Sequence, residues 1–270
     1  MVIDYASPGV FTTLDTDQFP LAADLPTDPV EICRAANGLL LHPFDAATLP
    51  QERMAEKNLR PTSAIVRALL RLDSAPLHLT RPAHQRVVGT CRHFATLSCA
   101  LLRLRGFRAR ARCGFATYFA AGQNLDHWIT EYWHVDEQRW VRIDSQLLGD
   151  ERAAQPEDLA PGEFLTGGEA WSLYRQGAAD PNTFGVAGTT HAWGAAEIRG
   201  NAIRDLAALM KMETLPWDEW GRMTASYEGK TDTDYDLLID EVAATCAADI
   251  PSDVDRLYHS ADLRVPDEIR

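Results

Sequence analysis

The stretch Val88-Gly89-Thr90-Cys91-Arg92-His93-Phe94-Ala95 opens the most strongly patterned part of this 270-residue chain. Phe94, Ala95, Leu97, Ser98, Leu101, Leu102 and Leu104 recur at helical spacing, which predicts a helix from Cys91 to Arg105. Thr90 can cap its start and Gly106 can end it. A cysteine is therefore expected in the first turn of a helix. Backbone N–H groups are unpaired there and the helix dipole is positive, so negative charge is favoured. The same N–H groups can hold a tetrahedral oxyanion.

Past the helix the period changes from helical to two. Phe107 to Ala116 contains Arg-Ala-Arg-Ala-Arg and reads as a half-exposed strand. Trp128 to Val135 and Arg139 to Ile143 read as two further strands, with Asp136-Glu137 as the turn between them. A two-residue turn there sets Val135 opposite Gln138 and His127 opposite Gln146. Asp144 then becomes a diagonal neighbour of His127 on the same face. His134 has the opposite parity and faces away. A cysteine at a helix start, with His and Asp on adjacent strands, makes a set of nucleophile, base and orienting carboxylate.

These residues resemble the transglutaminase-like superfamily. Gly89-Thr90-Cys91, Phe94-Ala95, Ala100-Leu101-Leu102-Arg103 and Gly106-Phe107-Arg108-Ala109-Arg110 look like its nucleophile helix and following strand. Asp126-His127-Trp128 with Glu131-Tyr132 resembles its His strand, and Arg139-Trp140-Val141-Arg142-Ile143-Asp144 its Asp strand. The likeness covers roughly residues 87–147 and suggests a stand-alone, bacterial-type member. It implies an α+β papain-like core, the nucleophile helix packed on an antiparallel sheet, with added N- and C-terminal helices. It implies Cys91 as nucleophile, His127 as base and acid, and Asp144 as orienter. Gln85, six residues before Cys91, stands where papain-like enzymes hold an oxyanion glutamine. Arg92 follows the cysteine where calcium-dependent crosslinking members commonly have Trp, and Ser145 follows the Asp where Pro or Ala is frequent. Their extra β-sandwich domains have no room in 270 residues, which points away from crosslinking of protein glutamines.

Outward from this core the chain is less patterned. Residues 1–30 read as an irregular lead-in, Asp28-Pro29 opens a helix to about Leu40, and Pro61-Thr62-Ser63 opens a second. Helical patterns return at Gly168–Arg175, Ala195–Met212 and Asp234–Ala247. Three regions follow: a helical segment 1–75 packed on the core, the catalytic core 76–150, and an acidic, mainly helical region 151–270. The tryptophans Trp193, Trp217 and Trp220 read as packing residues, with Leu215–Trp220 alternatively a lid.

Charge divides the same way. The formal net charge is −13, yet residues 74–125 hold eight arginines and no carboxylate, while residues 146–270 hold 24 acidic and 10 basic side chains. The global acidity argues against nucleic acid and membrane surfaces as partners. The strand arginines Arg108, Arg110 and Arg112 are either a solvated face or a means of recognising an anionic substrate. Arg92, Arg108, Arg110 and Trp128 are thus the candidate substrate-binding residues. Trp128 alternatively packs in the core, and His93 is structural or solvent-facing.

Five cysteines without C-x-x-C spacing give neither a disulfide framework nor a zinc site, so no metal and no cofactor is expected. Cys99 is two turns from Cys91, about 12 Å along the helix, too far for a resolving partner. No basic n-region or spanning apolar run is visible, and the expected location is cytoplasmic. The leading expectation is acyl transfer through a thioester acyl-enzyme, forming an amide between an acyl donor and an amine. The donor is a small molecule or peptide, or a carrier-protein thioester suited to the Arg-rich middle. The alternatives are an amidase or peptidase using the same triad, and a non-catalytic interaction module of papain-like fold.

Overall fold

The computed structural model describes residues 3–269. In chain order its elements are α1 (Pro29–Asn37), β1 (Leu40–Leu41), α2 (Thr62–Leu72), β2 (Val87–Val88), α3 (Cys91–Leu104), β3 (Ala109–Ala120), β4 (Gln123–His134) and β5 (Arg139–Ile143). Then come β6 (Phe164–Thr166), α4 (Gly167–Arg175), β7 (Phe184–Gly185), α5 (Ala195–Leu209), α6 (Met223–Tyr227), α7 (Thr233–Ala248) and α8 (Pro251–Tyr258). This is the α+β mixture of helices and mainly antiparallel strands expected from the sequence. The chain divides into two compact units, and the division falls inside strands β3 and β4. Among the described residues, one unit comprises Asp4–Ala111 and Ile129–Leu159, and the other Ile3, Arg112–Trp128 and residues 160–269.

The first unit is built around α3, whose residues from Cys91 through Arg103 are all buried. Helices α1 and α2 pack on it, and Thr130 on β4 donates its hydroxyl to the Ala95 carbonyl at 3.3 Å. Asp28 caps α1 as expected, accepting from the N–H groups of Val30 and Glu31. The helix stops at Asn37 because Leu40 and Leu41 leave it to pair in parallel with Val87 and Val88. The supposedly irregular lead-in is packed: Tyr5, Phe11 and Leu14 are buried, and Thr16–Ala22 forms a 3-10 helix.

Within this unit β4 pairs antiparallel with β5, His134 opposite Arg139 and Thr130 opposite Ile143. That is the register counted from the sequence. The connection is longer than two residues, however. Residues 135–138 all lie outside the ladder, and Gln138 takes a left-handed conformation with φ 51°. The Nδ1 of His134 accepts from the Glu137 N–H, which tightens the reversal.

The second unit is built around α5, which is buried from Glu197 through Leu209. Helices α4, α6 and α7 pack on it. A Cβ on Gly167 would lie 2.2 Å from the Asn201 carbonyl carbon, so only glycine lets α4 start this close to α5. Strand β6 pairs antiparallel with β3, and β7 pairs in parallel with β4 at Asn124 and Leu125. Leu215–Trp220 is not a free lid. Leu215 and Trp220 are buried, the Leu215 N–H donates to Asp218, and the Trp220 indole donates to the Leu263 carbonyl.

Candidate active site

Cys91 is the first residue of α3 and only 6% exposed. Thr90, extended at the N-cap, donates its N–H to His93 Nδ1 at 3.1 Å. His93 is fully buried and its Nε2 lies 2.9 Å from the Leu59 carbonyl. Accepting at Nδ1 and donating at Nε2 describes a neutral ring. Burial agrees, pushing His93 down to about 3. His93 therefore braces the helix start and does not face solvent.

Asp144 lies at the end of β5 in the same unit and is 0% exposed. Its N–H donates to the Pro156 carbonyl at 2.7 Å, and its Oδ1 accepts from the Gln146 N–H at 3.0 Å. The turn after it is held by Asn37, whose amide donates to the carbonyls of Ser145 and Gln146. Gln85 ends a short 3-10 helix, Ala83–Gln85, and is half-buried.

His127 falls in the other unit and is 2% exposed. Its ring meets Phe119 nearly edge-on at 5.0 Å and Tyr118 at 6.4 Å between centroids. The neighbouring Trp128 is 1% exposed and its indole nitrogen has no hydrogen-bond partner among the described residues, so Trp128 is a core side chain.

Asp126, just before His127, is tied to α5. Its Oδ1 accepts from Asn201 Nδ2 at 2.9 Å, and the same amide donates to the Gly114 carbonyl. The Asn201 side-chain Oδ1 accepts from Arg204 and from the Cys113 thiol. Arg204 also faces Glu197 at 3.4 Å, while the Tyr227 hydroxyl donates to Glu197 at 2.7 Å. Burial pushes Asp126 up despite Arg204 and the Asn201 hydrogen bond. It also pushes Glu197 up, to about 7, with Arg204 pulling the other way. Sequence reading missed this network. Asp126 and Asn201 are 75 positions apart, and no local pattern couples them.

The arginines correct the expected half-exposed strand. Only Arg108 is exposed, its guanidinium over the rings of Trp133 and Trp140. Arg110 is 3% exposed, pairs with Glu131 at 2.7 Å and lies 4.0 Å from the Trp140 ring centroid. Arg112 is 4% exposed and forms two hydrogen bonds to the Asp205 carboxylate. Arg92 is buried too, donating to the Arg60 carbonyl and lying over Phe11. Of the candidate substrate-binding residues, then, Arg92, Arg110 and Trp128 are interior, with both guanidinium groups engaged by protein.

The five cysteines are buried and form no disulfide with one another, and burial pushes the Cys33 thiol up. Among the described residues no helix is long and apolar enough to cross a membrane, and no group of three His, Cys, Asp or Glu is placed to hold a metal. Residues 72–145 match the family model of the transglutaminase-like superfamily core, a span that contains Gln85, Cys91, His127 and Asp144. No curated protein and no solved structure matches the chain.

Proposed function

We propose, taking residues 72–145 as a transglutaminase-like core, that the chain is a cysteine acyltransferase with Cys91, His127 and Asp144 as its triad. The observation that carries the reading is the place of Cys91, first residue of a capped, buried helix inside the matched span. The register of β4 against β5 supports the role of Asp144, because its count leaves His127 and Asp144 with like parity.

The Cys91 thiol gives its proton to His127, and the thiolate sulfur adds to the acyl carbon of a thioester or amide. The oxyanion is met by N–H groups at the start of α3, with Gln85 as a further donor. The carbonyl re-forms, the bond to the leaving thiol or amine breaks, and that group takes a proton from His127. An incoming amine then attacks the acyl-Cys91 thioester and gives its proton to His127 as the C–N bond forms and the Cys91 sulfur departs. Asp144 fixes the imidazole tautomer and supports its charged form. Hydrolysis is the same sequence with water in place of the amine.

Partition between the two is measured by mixing the protein with a short acyl thioester, then adding a primary amine. Amide formed in excess over free acid supports transfer. Free acid alone, with no dependence on amine, assigns the site to hydrolysis instead.

A further inference from the structure

A pocket of about 210 Å³ opens on the α3 unit, and its lining includes Phe94, Arg86, Gln146, Asp45, Asp150 and Arg152. Phe94 is one helical turn beyond Cys91 on α3, and Gln146 is two residues beyond Asp144. The pocket therefore shares its walls with the two elements that carry these residues. Its four charged groups are unequally matched. Arg152 is held by both oxygens of Asp150 and feels Asp45 and Asp144 as well. Arg86 has no carboxylate partner among the described residues. Its Nε donates to the Arg81 carbonyl, which leaves four N–H donors on the terminal nitrogens. Partial burial without a counter-charge pushes the Arg86 guanidinium down. Gln146 also lines this pocket, and its buried Oε1 has no donor among the described residues. A half-buried cation lacking an anion and a buried acceptor lacking a donor are both costly unless a ligand completes them.

We propose that this pocket binds the carboxylate end of an amino-acid-like substrate, Arg86 holding the carboxylate and Gln146 Oε1 accepting from its neighbouring N–H. The substrate class of the acyl-transfer reaction is then an amine acceptor or acyl donor bearing an α-carboxylate. The placement beside Cys91 rests on the acyltransferase reading, whereas the binding itself does not.

Two measurements on the full chain separate these. First, alkylation of Cys91 is followed with iodoacetate and with iodoacetamide, which differ in charge. The iodoacetate-to-iodoacetamide rate ratio is expected to fall about threefold or more in Arg86→Gln and to be retained in Arg86→Lys. An unchanged ratio in Arg86→Gln overturns the placement. Second, N-acetylglycine, acetate and inorganic phosphate are titrated against the Arg86 side-chain N–H signal in NMR spectra. N-acetylglycine is expected to bind more tightly than acetate, and Gln146→Leu to erase that difference. Absence of saturable binding, or tightest binding by phosphate, overturns the proposal. Saturable N-acetylglycine binding in a protein whose Cys91 alkylates no faster than its other cysteines supports the pocket and defeats the acyltransferase reading alone.

Discussion

Helix α3 from Cys91 through Arg103 and helix α5 from Glu197 through Leu209 are both buried, yet they neutralise their charged residues by opposite means. Arginines on and near α3 donate to backbone carbonyls. Arg92 reaches Arg60, Arg103 reaches Tyr5 and Ala109, Arg105 reaches Pro26, and Arg81 reaches Leu69 and Ala75. The charged residues of α5 meet opposite charge: Asp205 meets Arg112, Arg204 meets Glu197, and Arg199 meets Asp236. The acid-free stretch of residues 74–125 is thus largely an internal scaffold, with most of its guanidinium groups donating to backbone carbonyls. Where β3 passes into the α5 unit, acid from the C-terminal half takes over.

The comparison breaks most sharply at Asp205. Asp205→Ala leaves Arg112 buried beside an orphaned Cys113 N–H, and is expected to cost about 3–5 kcal/mol in urea unfolding. The matching change in the other unit, Arg103→Leu, removes a donor to the Tyr5 and Ala109 carbonyls, and is expected to cost only about 1–3 kcal/mol. Equal costs would erase the distinction between the two helices.

Acid and base sharpen it further. His93 is held near 3 when folded and takes a proton near 6.5 when unfolded. The unfolded chain binds more protons between those values, so stability is full above 6.5 and falls as pH drops. The loss is about 2 kcal/mol at pH 5, absent in His93→Gln, with hydrogen exchange in α3 reporting it. Glu197 has the opposite sign. Its folded value near 7 exceeds its unfolded one, so the folded chain keeps a proton the unfolded chain has lost. Stability then falls as pH rises, by about 1 kcal/mol from pH 6 to 7, and Glu197→Gln flattens that slope in α5 exchange. The smallest effect is at an exposed cap. Asp28→Ala is expected to lower stability by about 1 kcal/mol or less, through loss of two hydrogen bonds to α1.

The same contrast explains what sequence reading could reach. Cys91–Leu104 is bounded by a capping threonine and a helix-ending glycine, and its apolar spacing is helical, so its limits were legible to within a residue. The β4–β5 register was legible because both strands and their connection lie within residues 123–143. The fate of Arg110 and Arg112 was not. An Arg-Ala-Arg-Ala-Arg strand looks half-exposed unless its carboxylates are known, and Asp205 lies 93 residues from Arg112. Short strands β6 and β7 likewise depend on pairing with distant segments rather than on any period of their own.

The central claim is that Cys91 is the nucleophile, and capture of its acyl-enzyme tests it most directly. The protein is mixed with an acyl thioester, quenched in acid, and mapped by peptide mass. One acyl group is expected on the peptide containing Cys91, absent in Cys91→Ala and formed far more slowly in His127→Ala. An adduct on any other cysteine, equal acylation of all five, or undiminished acylation in Cys91→Ala would contradict the account.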